Sequence, residues 1–305
     1  MDELGGRLIG CVLGLALGDA FGAPFEFRRR DEIPNPIPAF ELPWQGHRPG
    51  TWTDDTAMAR NLWRSLTERG RLDAEDLLER HRRWLLTDPP DVGAMIRRVL
   101  TWSLEGVPDP AERYVRERGP EVSAGNGSVM YCAPLGAFRA TRSELLFDET
   151  PALSAITHRD ERCRTACLAV TLVAAGLVRG DDPEGTVRGA LAAVAERDGG
   201  EELEYLVSEA GRARRIDGPD QGFALFTAGI ALRVAAEARS FEDGLRHVVS
   251  LGGDTDTNAA VTGALLGALH GRAALPPAWI DRLVDGPEIE VEAEALAGAA
   301  APAAG

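Results

Sequence analysis

Two stretches, "RCRTACLAVTLVAAGLV" (Arg162–Val178) and "NAAVTGALLGALHG" (Asn258–Gly271), are apolar almost all the way round a helix. That pattern belongs to helices at the centre of a large bundle, not to surface helices with a single apolar stripe. "GFALFTAGIALRVAAEA" (Gly222–Ala238) is the amphipathic counterpart, with Phe223, Phe226, Ile230 and Val234 on one face at spacings of three and four. Strand candidates are few. Turn signals punctuate the helices at "GAPFEF" (Gly22–Phe27), "DPPDVG" (Asp88–Gly93), "GPDQG" (Gly218–Gly222) and "LPPAW" (Leu275–Trp279). No Ser/Gly linker, composition shift or fixed repeat period divides the chain. The residues therefore predict one all-α domain of about ten or more helices over 1–286. From Pro287, "PEIEVEAEALAGAAAPAAG" is acidic and then Ala/Gly/Pro-rich, which predicts a disordered tail over 287–305.

The bulk composition narrows the function. With 305 residues, 44% apolar and 27% charged, the chain reads as a globular protein able to bury an extensive core. A formal charge of −15, from 48 acidic and 33 basic residues, argues against nucleic acid and anionic membranes as partners. The run "LIGCVLGLALGDA" (Leu8–Ala20) follows the acidic "MDELGGR", and its long apolar part comes after Cys11 where a leader would need it before, so it does not read as a leader. Its apolar core of about 10 residues is short for a membrane span and predicts a buried helix. Cys11, Cys132, Cys163 and Cys167 are scattered, which predicts reduced thiols and a cytoplasmic location. Cys163 and Cys167, four residues apart, read as buried small side chains ahead of a metal half-site.

The chemistry sits in two acidic clusters, "TWTDDTAMA" (Thr51–Ala59) and "GGDTDTN" (Gly252–Asn258). The second matches positions 1, 3 and 5 of an EF-hand loop at Asp254, Asp256 and Asn258, but Ala259 and Leu265 stand where glycine and glutamate are needed. An aspartate nucleophile for phosphoryl transfer calls for a parallel-strand context that is not visible. Both clusters suit helix starts, where one acid is worth roughly 0.3–1 kcal/mol. Each has one acid more than a cap uses. Asp and Thr oxygens without His or Cys suit Mg²⁺, Mn²⁺ or Ca²⁺. Glu26 in "GAPFEF" is a third acid among apolar residues, and five converging carboxylates would need cations to offset them. Elsewhere, "SAGNGSVM" (Ser123–Met130) combines Gly125, Asn126 and Gly127 with Ser128, which is expected to open an apolar helix, a pattern suited to an anion.

Five segments, "GCVLGLALGDAFGAPFE", "TDDTAMA", "GNGSVMYCAPLG", "THRDERC" and "SLGGDTDTNAAVTGALLGALHG", occur in the order and spacing of the ADP-ribosylglycohydrolase family. The chain resembles that family from about Leu4 to Gly271. The resemblance implies an orthogonal helical bundle around a central binuclear site for Mg²⁺ or Mn²⁺. By position, it assigns Thr53, Asp54 and Asp55 to one ligand group and Asp254, Asp256 and Thr257 to the other. Glu26 and Asp91 then fall to catalysis, with Asp88 a rival to Asp91. Gly125, Asn126, Gly127, Ser128 and His158 fall to ADP-ribose contacts, and Phe223 to the adenine or to core packing. The implied reaction is hydrolysis of the C1″ bond between ADP-ribose and a protein side chain or small conjugate. Two other functions stay open at this point: a catalytically silent ADP-ribose-binding protein, and a metal-dependent hydrolase of another nucleotide conjugate.

Overall fold

A computed structural model describes residues 2–300, and among these the regular structure is helical, with isolated bridge pairs but no sheet. The first half comprises α1 (Glu3–Gly22), α2 (Asp54–Arg69), α3 (Ala74–Leu85), α4 (Ala94–Leu104), α5 (Pro110–Arg118), α6 (Ala133–Phe138) and α7 (Leu146–Ala155). The second comprises α8 (Glu161–Arg179), α9 (Pro183–Val194), α10 (Gly200–Val207), α11 (Ala224–Ala236), α12 (Phe241–Val249), α13 (Thr255–His270), α14 (Pro277–Ile280) and α15 (Gly286–Ala300). The all-α expectation holds. The two apolar stretches are α8 and α13, and both lie inside the bundle.

The centre of the fold is α1 against α13. Gly10, Gly14, Gly18 and Gly22 recur at every fourth position of α1 and bring its backbone directly onto that of α13. A Cβ at Gly14 would stand 2.1 Å from the Gly263 carbonyl oxygen, and one at Gly18 2.0 Å from that of Ala259. The pairing runs antiparallel, ending with Gly22 beside Thr255. It therefore sets the C-terminal end of α1, and Glu26 just beyond it, beside Asp254–Thr257 at the start of α13. The apolar run of about 10 residues expected near the N-terminus extends to a helix of 20. This helix is long and apolar enough to cross a membrane, and it is covered here by α13, α15, α8 and α6.

Asp19 is the one charged residue between Leu8 and Phe25, and it is fully buried. Its carboxylate accepts hydrogen bonds from the amides of Thr53 and Thr56, each at 3.0 Å, and from the Thr56 hydroxyl. It thus satisfies amides at the start of α2 that a helix leaves free. α1 in this way holds the starts of both α2 and α13.

The expected disordered tail is corrected by α15. Ile289, Ala293 and Leu296 repeat at four and three residues and are buried, a helical stripe that the Glu/Ala composition had hidden. The acids on its other side meet cations of α2: Arg60 bonds Asp285, Glu288 and Glu292, and Glu292 also accepts from Arg64 and from the Trp63 indole at 2.7 Å. Residues 301–305 of that expected tail lie outside the described residues. Glu292→Ala strips a nearly buried Arg60 of a charged partner and should lower unfolding free energy by about 2 kcal/mol, measured by urea denaturation. A variant as stable as the parent would show that α15 is held by its apolar stripe alone.

Candidate active site

The two acidic clusters meet. Thr53 caps α2, its hydroxyl accepting from the Asp55 amide and donating to Asp55 Oδ2 at 3.2 Å. Thr257, from the first turn of α13, donates to the same Asp55 Oδ2 at 3.3 Å across 202 residues of chain. Gly252 and Gly253, at φ +70° and +81°, bend the backbone before Asp254 in the way that paired glycines allow. Asp254 Oδ2 accepts the Asn126 amide at 2.8 Å, and the same amide also donates to Thr227. Thr53, Asp54, Asp55, Asp254, Asp256 and Thr257 are all buried.

Glu26 and Asp91 close the cluster from two loops. Glu26, Asp91 and Asp256 each offer an oxygen within 4.8 Å of the others. Asp54 accepts the Gly93 amide at 2.9 Å, which ties the "DVG" turn to α2. The rival Asp88 is exposed, with φ +53°, and stands outside the cleft, so the geometry favours Asp91. The cleft holds about 480 Å³ and is lined by these acids, the Gly125–Gly127 turn, His158, α4 and Tyr114. A larger bowl of about 990 Å³, between residues 33–41 and α12, holds none of the clustered acids.

His158 is buried beneath the glycine turn, and Thr157 Oγ1 lies 2.9 Å from its Nδ1. Burial lowers its pKa to about 4, so the ring is neutral at physiological pH. A Cβ at Gly127 would come within 2.8 Å of both the His158 ring and the Ile96 side chain, so a larger residue there would have to push them aside. Two of the expected ligand residues lie outside the lining of the cleft. Ser128 does not open a helix: turns run to Cys132, α6 begins at Ala133, and the Ser128 hydroxyl is buried against Ser154 at 2.9 Å. Phe223 caps α11 and packs edge-on against Phe226 under the Arg162 guanidinium, with its ring outside the lining of the cleft. Both residues obey local packing that their spacing could not show. Cys163 and Cys167 are free and buried, as expected of core thiols.

The site is electrostatically strained. Burial, and then the charges of Asp91 and Asp254, push Glu26 to about 8, partly opposed by the Trp44 indole. Burial and then Asp91 push Asp54 to about 8, while burial followed by the charge of Asp19 raises Asp55, and burial followed by that of Asp254 raises Asp256, both well above the usual carboxylate range. Asp19 rises to about 6 through burial, against its hydrogen bonds. Oδ1 of Asp55 and Oδ1 of Asp256 are buried with no hydrogen-bond partner. Orphaned carboxylate oxygens, all of them hard donors, fit a divalent cation.

A stability profile follows from these shifts. Each carboxyl binds its proton more tightly folded than unfolded, where the value is near 4. Its contribution is whole below about pH 4 and is lost as pH rises through about 6 for Asp19 and about 8 for Asp54 and Glu26. Cation-free protein should therefore melt at lower temperature at about pH 8.5 than at about pH 5.5 by scanning calorimetry. A melting temperature that rises across this interval would contradict the clustering of acids.

The family model for ADP-ribosylglycohydrolase matches residues 1–304. The chain belongs to the ADP-ribosylglycohydrolase family. As an ADP-ribosylglycohydrolase it is an enzyme, a hydrolase of the glycosidic bonds of ADP-ribose. It is 31% identical over 299 residues to ADP-ribosyl-[dinitrogen reductase] glycohydrolase of Rhodospirillum rubrum, covering 94% of this chain and 92% of that one. It is 28% identical over 297 residues to ADP-ribosylarginine hydrolase Tri1 of Serratia proteamaculans, covering 94% and 78%. Human ADP-ribosylhydrolase ARH3 is 26% identical over 342 residues, covering 95% and 92%. The solved structure of an ADP-ribosylglycohydrolase-related protein complex superposes with a TM-score of 0.81 and 31% identity, over 99% of this chain and 100% of that chain.

Several residues in and around this cleft were not singled out by the motifs. Asp19 was visible as the lone charge of an apolar helix, but its partners were not. Gly93 and Gly222 act through single backbone contacts, Gly222 by accepting the Asn126 backbone N–H at 2.9 Å. Phe27, at the end of the "GAPFEF" turn, and Gln45 also line the cleft.

Proposed function

We propose that this chain is a metal-dependent ADP-ribosylhydrolase that frees an ADP-ribosylated protein side chain. The observation that carries the metal is the meeting of Asp54 and Asp55 with Asp254 and Asp256, joined through Thr257 and leaving two carboxylate oxygens unpartnered. Thr53, Asp54, Asp55, Asp254, Asp256 and Thr257 would hold two divalent cations, Mg²⁺ or Mn²⁺. Bound there, the cations supply Lewis acidity toward hydroxyl groups and water.

The remaining chemistry belongs to the chain. The Gly125–Gly127 turn lets backbone approach the diphosphate, with neutral His158 supporting it from below. Asn126 orients Asp254. The distal ribose then lies over the carboxylates, with C1″ facing Glu26 and Asp91. Water adds to C1″, the bond to the acceptor breaks, and C1″ passes through an oxocarbenium-like state. Glu26, raised toward neutrality, suits the exchange of a proton with water or the departing group, and Asp91 is its partner in that role. The names of the relatives in Rhodospirillum and Serratia point to protein and arginine acceptors. The complete set of oxygen donors favours catalysis over silent ADP-ribose binding. The four buried thiols suit a reducing compartment, and the cytoplasm is the proposed location.

The test is a panel of ADP-ribosylated peptides and nucleotide conjugates incubated with Mg²⁺, Mn²⁺ or EDTA, reading free ADP-ribose. Release with either cation and none with EDTA supports the proposal. Release that is indifferent to EDTA removes the metals, and no release from any conjugate favours a binding protein.

A further inference from the structure

Phe27 breaks three ordinary rules at once. It is an aromatic residue 60% exposed, it lines the cleft beside Glu26, and its backbone is left-handed at φ +60°. A left-handed non-glycine residue costs of order 1–2 kcal/mol, and bulky side chains rarely adopt it. The conformation is enforced locally: the Phe27 amide donates to the Gly253 carbonyl at 2.8 Å, and Gly253 donates back to Arg28 at 2.8 Å. The ring is thus held at the mouth of the cleft on a backbone that folding alone would not choose. Strain of this kind, at a site, points to a function for the side chain.

The location of Phe27 says which part of the substrate it meets. Asp254 takes the amide of Asn126, in the glycine turn assigned above to the diphosphate. Phe27 is tied instead to Gly253 and directly follows Glu26, whose carboxyl lies within 4.8 Å of those of Asp91 and Asp256. With ADP on the glycine turn and C1″ facing Glu26 and Asp91, the bond to the acceptor breaks next to Phe27, where the cleft offers an aromatic face together with these acids. A planar cation suits this part of the cleft, since the acidic cluster as a whole attracts its charge and an aromatic face binds its plane.

We propose that Phe27 is a specificity-determining residue, whose ring receives the acceptor group and selects planar cationic acceptors over small neutral ones; this rests on the ADP-ribosylhydrolase reading above. The experiment measures kcat and KM for Phe27→Ala, Phe27→Tyr and Phe27→Gly on two substrates, an ADP-ribosylarginine peptide and O-acetyl-ADP-ribose. Phe27→Ala should lower the ratio of kcat/KM for the peptide to that for the small ester by about tenfold, mainly through KM, which is the factor carried by a cation–π contact of about 1.4 kcal/mol. Phe27→Tyr should restore the ratio. Phe27→Gly should lower the ratio as Ala does while raising the melting temperature, because glycine accepts positive φ without strain. An equal fall on both substrates, an unchanged ratio, or a Phe27→Gly protein that melts lower than the parent would each assign Phe27 to structure and overturn the proposal. Failure of the parent enzyme to hydrolyse either conjugate would instead count against the underlying function, a separate outcome.

Discussion

Asp256→Asn is expected to reduce ADP-ribose release by about a thousandfold, the scale on which enzymes lose rate when a preorganised polar group is removed. The same change should raise the melting temperature of the cation-free protein by a few degrees. Both effects come from one fact. Asp256 is buried beside Asp254 and Glu26, whose charges oppose its ionisation, and its Oδ1 has no partner within the protein. Asparagine removes the charge while keeping the shape, so repulsion falls in the empty site. It also removes a hard donor from the cation set. Adding Mg²⁺ or Mn²⁺ should raise the melting temperature of the parent, through binding to the folded state only, and raise that of the variant far less. Turnover at the parent rate would remove Asp256 from the chemistry. A lower melting temperature for the cation-free variant would show that the carboxylate is compensated within the protein after all.

Gly18→Ala is the second large effect, and it acts on the fold. The new Cβ would lie 2.0 Å from the Ala259 carbonyl oxygen, where backbone faces backbone and no side chain can swing away. Helix α13 must shift, at a cost of about 3 kcal/mol or more in unfolding free energy by urea denaturation. Activity should fall with it, because Asp19 follows directly and holds the start of α2, while Ala259 stands two residues after Thr257. Gly6→Ala is the control. It lies in the same helix with nothing within 4 Å of the added atom, so alanine should be neutral or stabilise by up to about 1 kcal/mol. If both variants proved equally stable, α1 and α13 would not be in backbone contact.

The site was legible in its parts. Thr53 and the two aspartates after it, and the glycine pair before Asp254, carry local signatures of helix starts, and excess acid marked both as more than caps. Family resemblance supplied their pairing. The resemblance already preferred Asp91 to Asp88, but which other side chains face the cleft was not legible: Ser128 and Phe223 turn away from it while Tyr114 lines it, and that depends on the direction each side chain takes from its backbone. α15 was missed because alternating Glu and Ala resembles the composition of disorder, and its acids acquire meaning only opposite Arg60 and Arg64.

The sequence by itself determined the all-α class, the positions of the main helices and the two acidic turns, because helix periodicity and capping operate within about four residues. The tertiary structure alone decided that α1 and α13 touch along their glycines, that Asp19 caps a helix 34 residues away, and that Asp55 meets Thr257. Those contacts depend on how close two backbones can come and on which amides a buried carboxylate finds. Such quantities exist only once the packed interior has closed around them.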